Sequence, residues 1–333
     1  MPEDLRNEEI IKHIRYRPAM YFGSVGTRGV EQFVYELVSN VLDTYLANQA
    51  TFVNVKLDGT TISVVDDGPG LPFDKPSDLE RISLATKFLT HVHQIRSQDE
   101  HAPHVHMTTL GLGIAPLNVA SVQLTVQSWR SGVLWEQHFA RGVPESSATV
   151  VEQGNGRGTR IEVIPDPEIF GQAKPRLGVI RRSLFEAAHL FSGLRIGFDE
   201  ERFYAPTGLQ MLGFMLLDSL SVSTNPNTLP FHVSLRYENV FIEAAIFGEK
   251  RSPTRTFSWV NGARTPDGGS HVKGLFQVLK EVGWKPALSL IHVVMFEPEF
   301  AGPMRTKLDV PHIGEVMKNA LREPLHQYRR QFI

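Results

Sequence analysis

The sequence has no cysteine in its 333 residues. Disulfide bridges and thiolate chemistry are therefore excluded, and a reducing, cytoplasmic location is the simplest expectation. No apolar run approaches the roughly 20 residues that a membrane-spanning helix needs. The charged start, MPEDLRNEEI, lacks the apolar core of a secretory signal. We therefore expect a cytoplasmic protein without a membrane partner.

An excess of charge of either sign is also missing, because 34 Lys and Arg stand against 36 Asp and Glu. The overall charge thus gives no indication of a nucleic-acid binder or of an acidic tail. The sequence also lacks the Walker A motif, G-x-x-x-x-G-K-[ST], which excludes a P-loop nucleotide enzyme. The hydrophobic fraction of 41% is that of a globular protein, and the length is sufficient for two domains.

Helical and strand patterns follow one another along the chain and predict an α+β protein with two domains, residues 1–203 and 204–333. FVNVKLDGTTISVV alternates apolar and polar residues around an Asp-Gly turn, which predicts a β-hairpin. EEIIKHIRYR predicts a short helix that ends at Pro18. PSDLERISLATKFLTHVHQI predicts a helix with Ser77 as its N-cap. In the second domain, GSHVKGLFQVLKEVG and the segment ending in HQYRRQFI predict helices.

The segment GVEQFVYELVSNVLDTYLAN predicts a longer amphipathic helix with an unusual polar stripe. Glu36, Asn40 and Asp43 recur at i, i+4 and i+7, so they share one face. A solvated face is the ordinary explanation for such a stripe. However, no Lys or Arg lies on it, although such partners are expected on a plain solvent face. The opposite arc is apolar: Val30, Phe33, Val34, Leu37, Val38, Val41 and Tyr45.

Three further motifs are glycine-rich. DDGPGLP places Asp66 at the end of a predicted strand, where the following glycines allow a ligand to approach the backbone. TTLGLGIAPLN sets Gly111 and Gly113 at the start of a helix, where free N–H groups suit phosphate. GNGRGTRIEV leads into a strand with Thr159 at its start. Each motif alone has an ordinary explanation as a tight turn or a flexible helix start.

The order of these four motifs resembles that of the GHKL (Bergerat-fold) ATPases. RYRPAMYFGSVGTRGVEQFVYELVSNVLD is similar to the opening of the B subunits of DNA gyrase and topoisomerase IV. SWVNGARTPDGGSHVKGL and FEPEFAGPMRTKL resemble segments of the second, transducer domain of these proteins. The resemblance implies a Bergerat α/β sandwich followed by a transducer domain of the ribosomal-protein-S5-domain-2-like type. It also implies ATP and Mg²⁺ as ligands.

The resemblance implies roles for individual residues. Glu36 matches the general base that activates water, and Asn40 matches the Mg²⁺ ligand. Asp66 matches the acceptor of the adenine amino group, with Thr159 beside it. Arg305 matches a cation that contacts the γ-phosphate. The remaining expected nucleotide-binding residues are Asp43, Gly68, Gly70, Leu71, Gly111, Leu112 and Gly113.

Several positions depart from the family pattern. A glutamine-threonine-lysine run reads Pro303-Met304-Arg305, so the glutamine is absent and arginine replaces lysine. Thr108 and Thr109 stand where the family has the first glycines of its ATP lid. Pro69 replaces the arginine that the family has between the two glycines of DGxG. Thr44 replaces the helix acid with which that arginine would pair. The segment before IIKHI is about half the usual N-terminal arm. We therefore expect ATP binding without fast ATP-gated dimerisation.

The expected function is an ATP-hydrolysing module whose nucleotide state drives clamp closure. In the family this implies a homodimer, and in a topoisomerase also DNA and a gyrase A-like subunit. The alternative is a stand-alone nucleotide-dependent switch without topoisomerase activity. No EGDSA-like or DxD Toprim segment is in the sequence, so this chain alone is not expected to cleave DNA.

The segment HVHQIRSQDEHAPHVH is rich in histidine, at spacings that can bind zinc. It aligns with the ATP lid of the family and has no cysteine to help, so a polar lid is the favoured interpretation. The five histidines are His91, His93, His101, His104 and His106.

Overall fold

A computed structural model describes residues 3–79, 82–92, 103–105, 107, 113–220, 229–249, 254–302 and 304–332. The chain divides into two compact units. The first comprises Met1–Arg96, His106–Glu186 and Leu194–Tyr204; the second comprises Ser97–Val105, Ala187–Gly193 and Ala205–Ile333.

The first unit combines a mixed sheet with helices. Its helices are α1 (Glu3–Tyr16), α2 (Pro18–Phe22), α3 (Thr27–Leu46), α4 (Leu84–Thr90), α5 (Ile114–Val119), α6 (Pro167–Phe170) and α7 (Leu177–Leu190), whose last residues group with the second unit. Its strands are β1 (Phe52–Asp58), β2 (Thr61–Asp66), β3 (Ser121–Arg130), β4 (Val133–Ala140), β5 (Val143–Pro144), β6 (Thr149–Gln153), β7 (Gly158–Pro165), β8 (Arg195–Phe198) and β9 (Glu201–Phe203). The strand order among the described residues is β5-β4-β3-β7-β2-β1-β8-β9, with β6 paired to β4.

Helix α3 packs its apolar arc against this sheet, on β1 and β2. Six of the seven residues predicted for the arc are buried, and Tyr45 is half-buried. The Asp-Gly turn joins β1 and β2 as predicted, with Asp58 opposite Thr61. Burial of one face of the helix and one face of the sheet forms the core of this unit.

One local prediction, the N-cap at Ser77, is wrong, whereas the predicted end of the first helix before Pro18 is confirmed. Ser77 does not cap a helix: its Oγ donates to the carbonyls of Leu79 and Ile82, and so closes a turn. The helix starts later, at Leu84, with Ser83 as the N-cap that accepts from Thr86 N at 3.1 Å. Pro18 does more than end a helix, because it begins α2 at a first-turn position where its missing N–H costs nothing.

Within its described residues, the second unit has a five-stranded sheet and three helices. The strands are β10 (Phe231–Tyr237), β11 (Val240–Phe247), β12 (Arg255–Val260), β13 (Ala263–Arg264) and β14 (Leu288–Val294), in the order β10-β11-β14-β12-β13. The helices are α8 (Gly208–Ser219), α9 (Ser270–Glu281) and α10 (Pro311–Phe332).

Alternation along β11 assigns the two faces of this sheet. Ile242, Ala244 and Ile246 join the main core with residues of α9 and α10. Phe247 points to the other face, where it meets Phe214 of α8 edge-on. The predicted α+β class is confirmed in both units. No helix in the described ranges is long and apolar enough to cross a membrane.

Candidate nucleotide site

The polar stripe of α3 is not a uniformly solvated face. The side chain of Glu36 is buried, with 3% of the residue exposed. Asp43, two turns on, is half-buried, and Asn40 between them is exposed. A carboxylate is rarely this buried without partners. Glu36 therefore has a specific environment that solvent alone does not provide.

One partner of Glu36 is the backbone at the start of α5. Gly113 N donates to Glu36 Oε2 at 3.2 Å. The glycine-rich motif and the α3 stripe are thus brought together as expected from the sequence. Gly111 and Leu112, also predicted to bind nucleotide, lie outside the described residues.

Asn40 is oriented by its own helix. Its Nδ2 donates to the carbonyl of Glu36 at 2.8 Å. This bond commits the amide nitrogen to the backbone, so the amide oxygen is the atom directed away from the helix. An exposed amide oxygen one turn from a carboxylate is the donor type that Mg²⁺ accepts in proteins.

Asp66, Thr159 and Ser128 form a row across three neighbouring strands. The register pairs Val65 with Arg160, so Asp66 lies next to Thr159 at the end of β2. Ser128 on β3 pairs with Thr159, and their hydroxyl oxygens lie 3.4 Å apart. Directly opposed residues share one face of a sheet. The row therefore collects a carboxylate and two hydroxyls at one end of the sheet.

The two acids of the DDG motif have different environments. Asp67 accepts from Thr51 N at 2.7 Å, Thr51 Oγ1 at 2.5 Å and Phe52 N at 2.9 Å. Burial raises the pKa of Asp67, but these bonds outweigh it, so the pKa is lower than usual. Burial raises the pKa of Asp66 to about 6, although hydrogen bonds from Gly68 and Thr159 oppose the rise. Asp67 is thus structural, and Asp66 is the carboxylate with capacity for a ligand.

The glycines after Asp66 are required by close approach. Gly68 N donates to Asp66 Oδ1 at 2.7 Å, and a Cβ at Gly68 would lie 2.7 Å from the same oxygen. Gly70 has φ +77°, and its Cβ would lie 2.0 Å from the carbonyl oxygen of Trp129. Leu71 N then donates to Ser128 Oγ at 2.6 Å. The turn is therefore fixed against the Asp66 row from both ends.

Three residues of this region were missed by sequence reasoning. Ser128 required the strand register, which no local motif reveals. Arg157 donates through Nε to Gly68 O at 3.2 Å and also to the carbonyl of Gln49. Arg130 donates to Gly70 O at 3.1 Å and pairs with Asp74 at 2.8 Å. Two arginines therefore hold the turn even though Pro69 replaces the arginine of the family motif.

The predicted phosphate-contacting cation belongs to the second unit. Arg305 has φ +52°, and its guanidinium lies over the ring of Phe300, 5.8 Å from the centroid. Pro303, the most marked departure from the family pattern, lies outside the described residues, as do Thr108 and Thr109.

A zinc site has no support in the described part of the histidine-rich segment. His93, His101 and His106 lie outside the described residues. Among those that are described, no group of three or more His, Asp or Glu side chains could hold a metal ion.

Comparison with known proteins agrees with this geometry. The DNA gyrase B protein of Borreliella burgdorferi is 27% identical over 95% of this chain and 54% of that protein. The gyrase B protein of Archaeoglobus fulgidus is 28% identical over 96% of this chain and 54% of that protein. The chain thus spans about half the length of these curated relatives. No family model matches the chain.

Solved structures give the same result. The 43K ATPase domain of Thermus thermophilus gyrase B, in complex with an aminocoumarin, has a TM-score of 0.79 and 25% identity; the match covers 96% of this chain and 91% of that one. The gyrase B protein of Myxococcus xanthus has a TM-score of 0.80 over 97% of both chains, but at 20% identity it supports the fold alone. The resemblance inferred from the sequence is confirmed: the chain is similar to DNA gyrase B proteins over almost its whole length.

Proposed function

We propose that the first unit binds Mg·ATP and hydrolyses it, with the adenine held at Asp66. The observation that carries this proposal is the half-buried Asp66 carboxylate at the sheet end, beside Thr159 and facing a turn that has no Cβ at Gly68. A carboxylate kept in such a place at an energetic cost indicates a ligand that compensates it. The amino group of adenine is a donor of the right kind.

The second half of the proposed site is the stripe on α3. Asn40 would hold Mg²⁺ through its amide oxygen, with phosphate and water oxygens completing the shell. When bound, Mg²⁺ neutralises negative charge on the phosphates. Glu36 would accept a proton from the attacking water, and Asp43 would support the polar environment. Burial of Glu36 suits this role because it keeps the carboxylate in a fixed position.

Backbone groups supply the rest of the proposed contacts. Gly113 N is held at Glu36 in this structure, so a phosphate could take over this donor only by displacing the carboxylate. Helix α5 has only six residues, so its dipole adds little to phosphate binding, and the proposed contacts depend on the backbone N–H groups. Gly68, Gly70 and Leu71 would line the adenine end. Gly111 and Leu112 are proposed from the resemblance alone.

For the whole protein we propose that bound ATP favours association with a second copy of the chain, but only weakly. In a topoisomerase the further partners would be DNA and a gyrase A-like subunit. The alternative, a nucleotide-dependent switch with another partner, shares the same nucleotide site. Arg305 is proposed as the residue through which the second unit responds to the γ-phosphate.

The deciding experiment measures ATP binding by calorimetry and steady-state phosphate release, each with and without Mg²⁺. We expect Mg²⁺-dependent binding and slow turnover. Absence of ATP binding would refute the proposal. Addition of duplex DNA then separates the two wider functions, because stimulated turnover supports a topoisomerase-like module and unchanged turnover supports the switch.

A further inference from the structure

Asn261 is a buried asparagine whose side-chain amide makes three hydrogen bonds. It occupies the turn between β12 and β13 with φ +48°, and is 5% exposed. Its Nδ2 donates to the carbonyls of His104 and Met295, both at 2.8 Å. Its Oδ1 accepts from Met295 N at 2.9 Å. One side chain thereby joins two backbone segments that are distant in sequence.

The first of these segments precedes the glycine-rich motif. His104 and Val105 group with the second unit, although the described residues that precede and follow this segment belong to the first. Val105, next to His104, is fully buried. The side chain of Asn261, in the β12–β13 turn, binds this segment through the carbonyl of His104.

The chain then enters the first unit and is fixed again. Met107 N donates to Ser39 Oγ at 3.1 Å. Ser39 is a buried residue of α3 and the immediate neighbour of Asn40. Further along, Gly113 N meets Glu36. Three successive anchors therefore hold the chain that leads into the proposed phosphate-binding residues.

The other segment begins directly after β14. Both polar backbone atoms of Met295 are taken by the amide of Asn261. The residues that follow Met295 lead to Phe300 and Arg305. The same side chain thus fixes the start of the stretch that carries the proposed phosphate-contacting cation.

We propose that Asn261 is a positioning residue for ATP hydrolysis, which sets the path of the chain at residues 103–105 and at Met107, and thereby the placement of Gly113. This inference rests on the proposed ATPase function. It assigns to the second unit a side chain that acts on the nucleotide site through the backbone of His104. Asn261 itself does not touch the reacting atoms.

A purely local role in the turn is the competing explanation. Asn-Gly is a favoured pair for a two-residue hairpin, because both positions have positive φ. The variant Asn261→Gly separates the two roles. Glycine keeps the turn geometry but removes all three hydrogen bonds of the side chain. Asn261→Asp is a second variant, which keeps the acceptor for Met295 N and removes the two donors.

The same sheet offers a matched control. Glu238 occupies the corresponding turn between β10 and β11, where Tyr237 pairs with Val240. It also has positive φ, +53°, but its side chain is exposed. Glu238→Gly therefore makes the same backbone change without removing a buried amide.

The first measurement is hydrogen exchange of the intact chain without nucleotide. We expect Asn261→Gly and Asn261→Asp to accelerate exchange in residues 103–107 by about three- to tenfold, the effect of losing one net hydrogen bond. Exchange within β11 should change much less, and Glu238→Gly should match the wild type. Equal exchange in residues 103–107 for all variants would overturn the proposal.

The second measurement is steady-state ATP hydrolysis. We expect kcat/KM to fall by a similar factor in both Asn261 variants, mainly through KM, because Gly113 is less often in place. Parameters equal to those of Glu238→Gly would overturn the positioning role. A wild type that binds no ATP would instead refute the proposed function, and the exchange measurement would still decide whether Asn261 orders this segment.

Discussion

Glu36 Oε2 accepts a hydrogen bond from Gly113 N at 3.2 Å, across 77 residues of sequence. This contact joins the polar stripe of α3 to the glycine-rich motif. It also gives Glu36 two separable properties, because the carboxylate can accept a proton and can hold the backbone. The two properties respond differently to substitution.

Replacing Glu36 should therefore separate chemistry from structure. Glu36→Gln keeps an acceptor for Gly113 N and loses the base, so turnover should fall by roughly 10²–10⁴ while Mg·ATP affinity stays within a few-fold. Glu36→Ala should lose the same turnover and also loosen Gly113. Phosphate release and calorimetry test this pair. Retained turnover in Glu36→Gln would remove Glu36 from the chemical step.

The Asp66 carboxylate should lower the stability of the apo protein and strengthen ATP binding. Its raised pKa means that the folded state disfavours the carboxylate, so stability decreases as pH rises from about 4 to 6. Asp66→Asn should thus stabilise the apo protein above pH 6 by on the order of 1 kcal/mol. It should also weaken ATP binding at least tenfold, because the acceptor for the adenine amine is changed.

Asp67→Asn is the matched control for this substitution. Asp67 has a lowered pKa and three donors, so its contribution to stability is present above its ordinary pKa and is lost as pH falls. The change should destabilise the protein by about 1–3 kcal/mol and alter ATP affinity only slightly. Thermal unfolding and calorimetry on both variants check the contrast. Equal effects of the two substitutions would show that the two acids have the same role.

Site residues could be predicted from the sequence where polar residues recur at a regular local spacing. Glu36 and Asn40 could be identified because helical spacing places them on one face. Ser128 could not, because its place beside Thr159 depends on the pairing of β3 with β7. Ser77 was the N-cap expected from the local pattern, and only the hydrogen bonds of the folded chain show that Ser83 caps the helix instead.

Contacts between side chains and distant parts of the backbone also could not be predicted from the sequence. Arg157 reaches the carbonyl of Gly68 from a distant part of the chain, and nothing in GNGRGTRIEV indicates that contact. The choice of Asp66 over Asp67 came from a family resemblance. Its physical reason is the set of donors at Thr51 and Phe52, which satisfies only the second acid.

The pH dependence of adenine binding should follow Asp66. A donor on the ligand favours the ionised carboxylate, so affinity should be constant above pH 6 and fall about tenfold per pH unit well below it. Adenosine is the better probe, because it carries no phosphate that titrates. Titrations from pH 4.5 to pH 8 should show this bend in the wild type. The same bend in Asp66→Asn would assign it to another group.

Asn40 should control the metal dependence of binding. Asn40→Ala removes the proposed oxygen ligand, so Mg²⁺ should no longer improve ATP affinity, while binding of adenosine stays unchanged. Asn40→Asp keeps an oxygen at the same place and should retain the Mg²⁺ effect. Calorimetry with and without Mg²⁺ distinguishes these variants. A full Mg²⁺ effect in Asn40→Ala would place the metal elsewhere.

Arg305 should sense the third phosphate. Its guanidinium now lies over Phe300, and the left-handed backbone at this residue costs of the order of 1 kcal/mol, as is common where a functional contact fixes the chain. Arg305→Ala should weaken a non-hydrolysable ATP analogue about tenfold and leave ADP unaffected. Lys307, an exposed cation two residues on, provides the control, because Lys307→Ala should change neither affinity.

The same analogue tests whether nucleotide drives dimerisation. Pro303 stands where the resemblance expects glutamine, and proline offers neither a side-chain amide nor a backbone donor. We therefore expect the analogue to bind but to shift the solution mass only weakly towards a dimer, with Arg305→Ala abolishing even that shift. Light scattering with and without the analogue measures this directly. A tight dimer formed only with the analogue would show that the departures at Pro303 and Arg305 leave an ATP-operated clamp intact. A mass and an analogue affinity that do not respond to Arg305→Ala would assign the second unit to another partner.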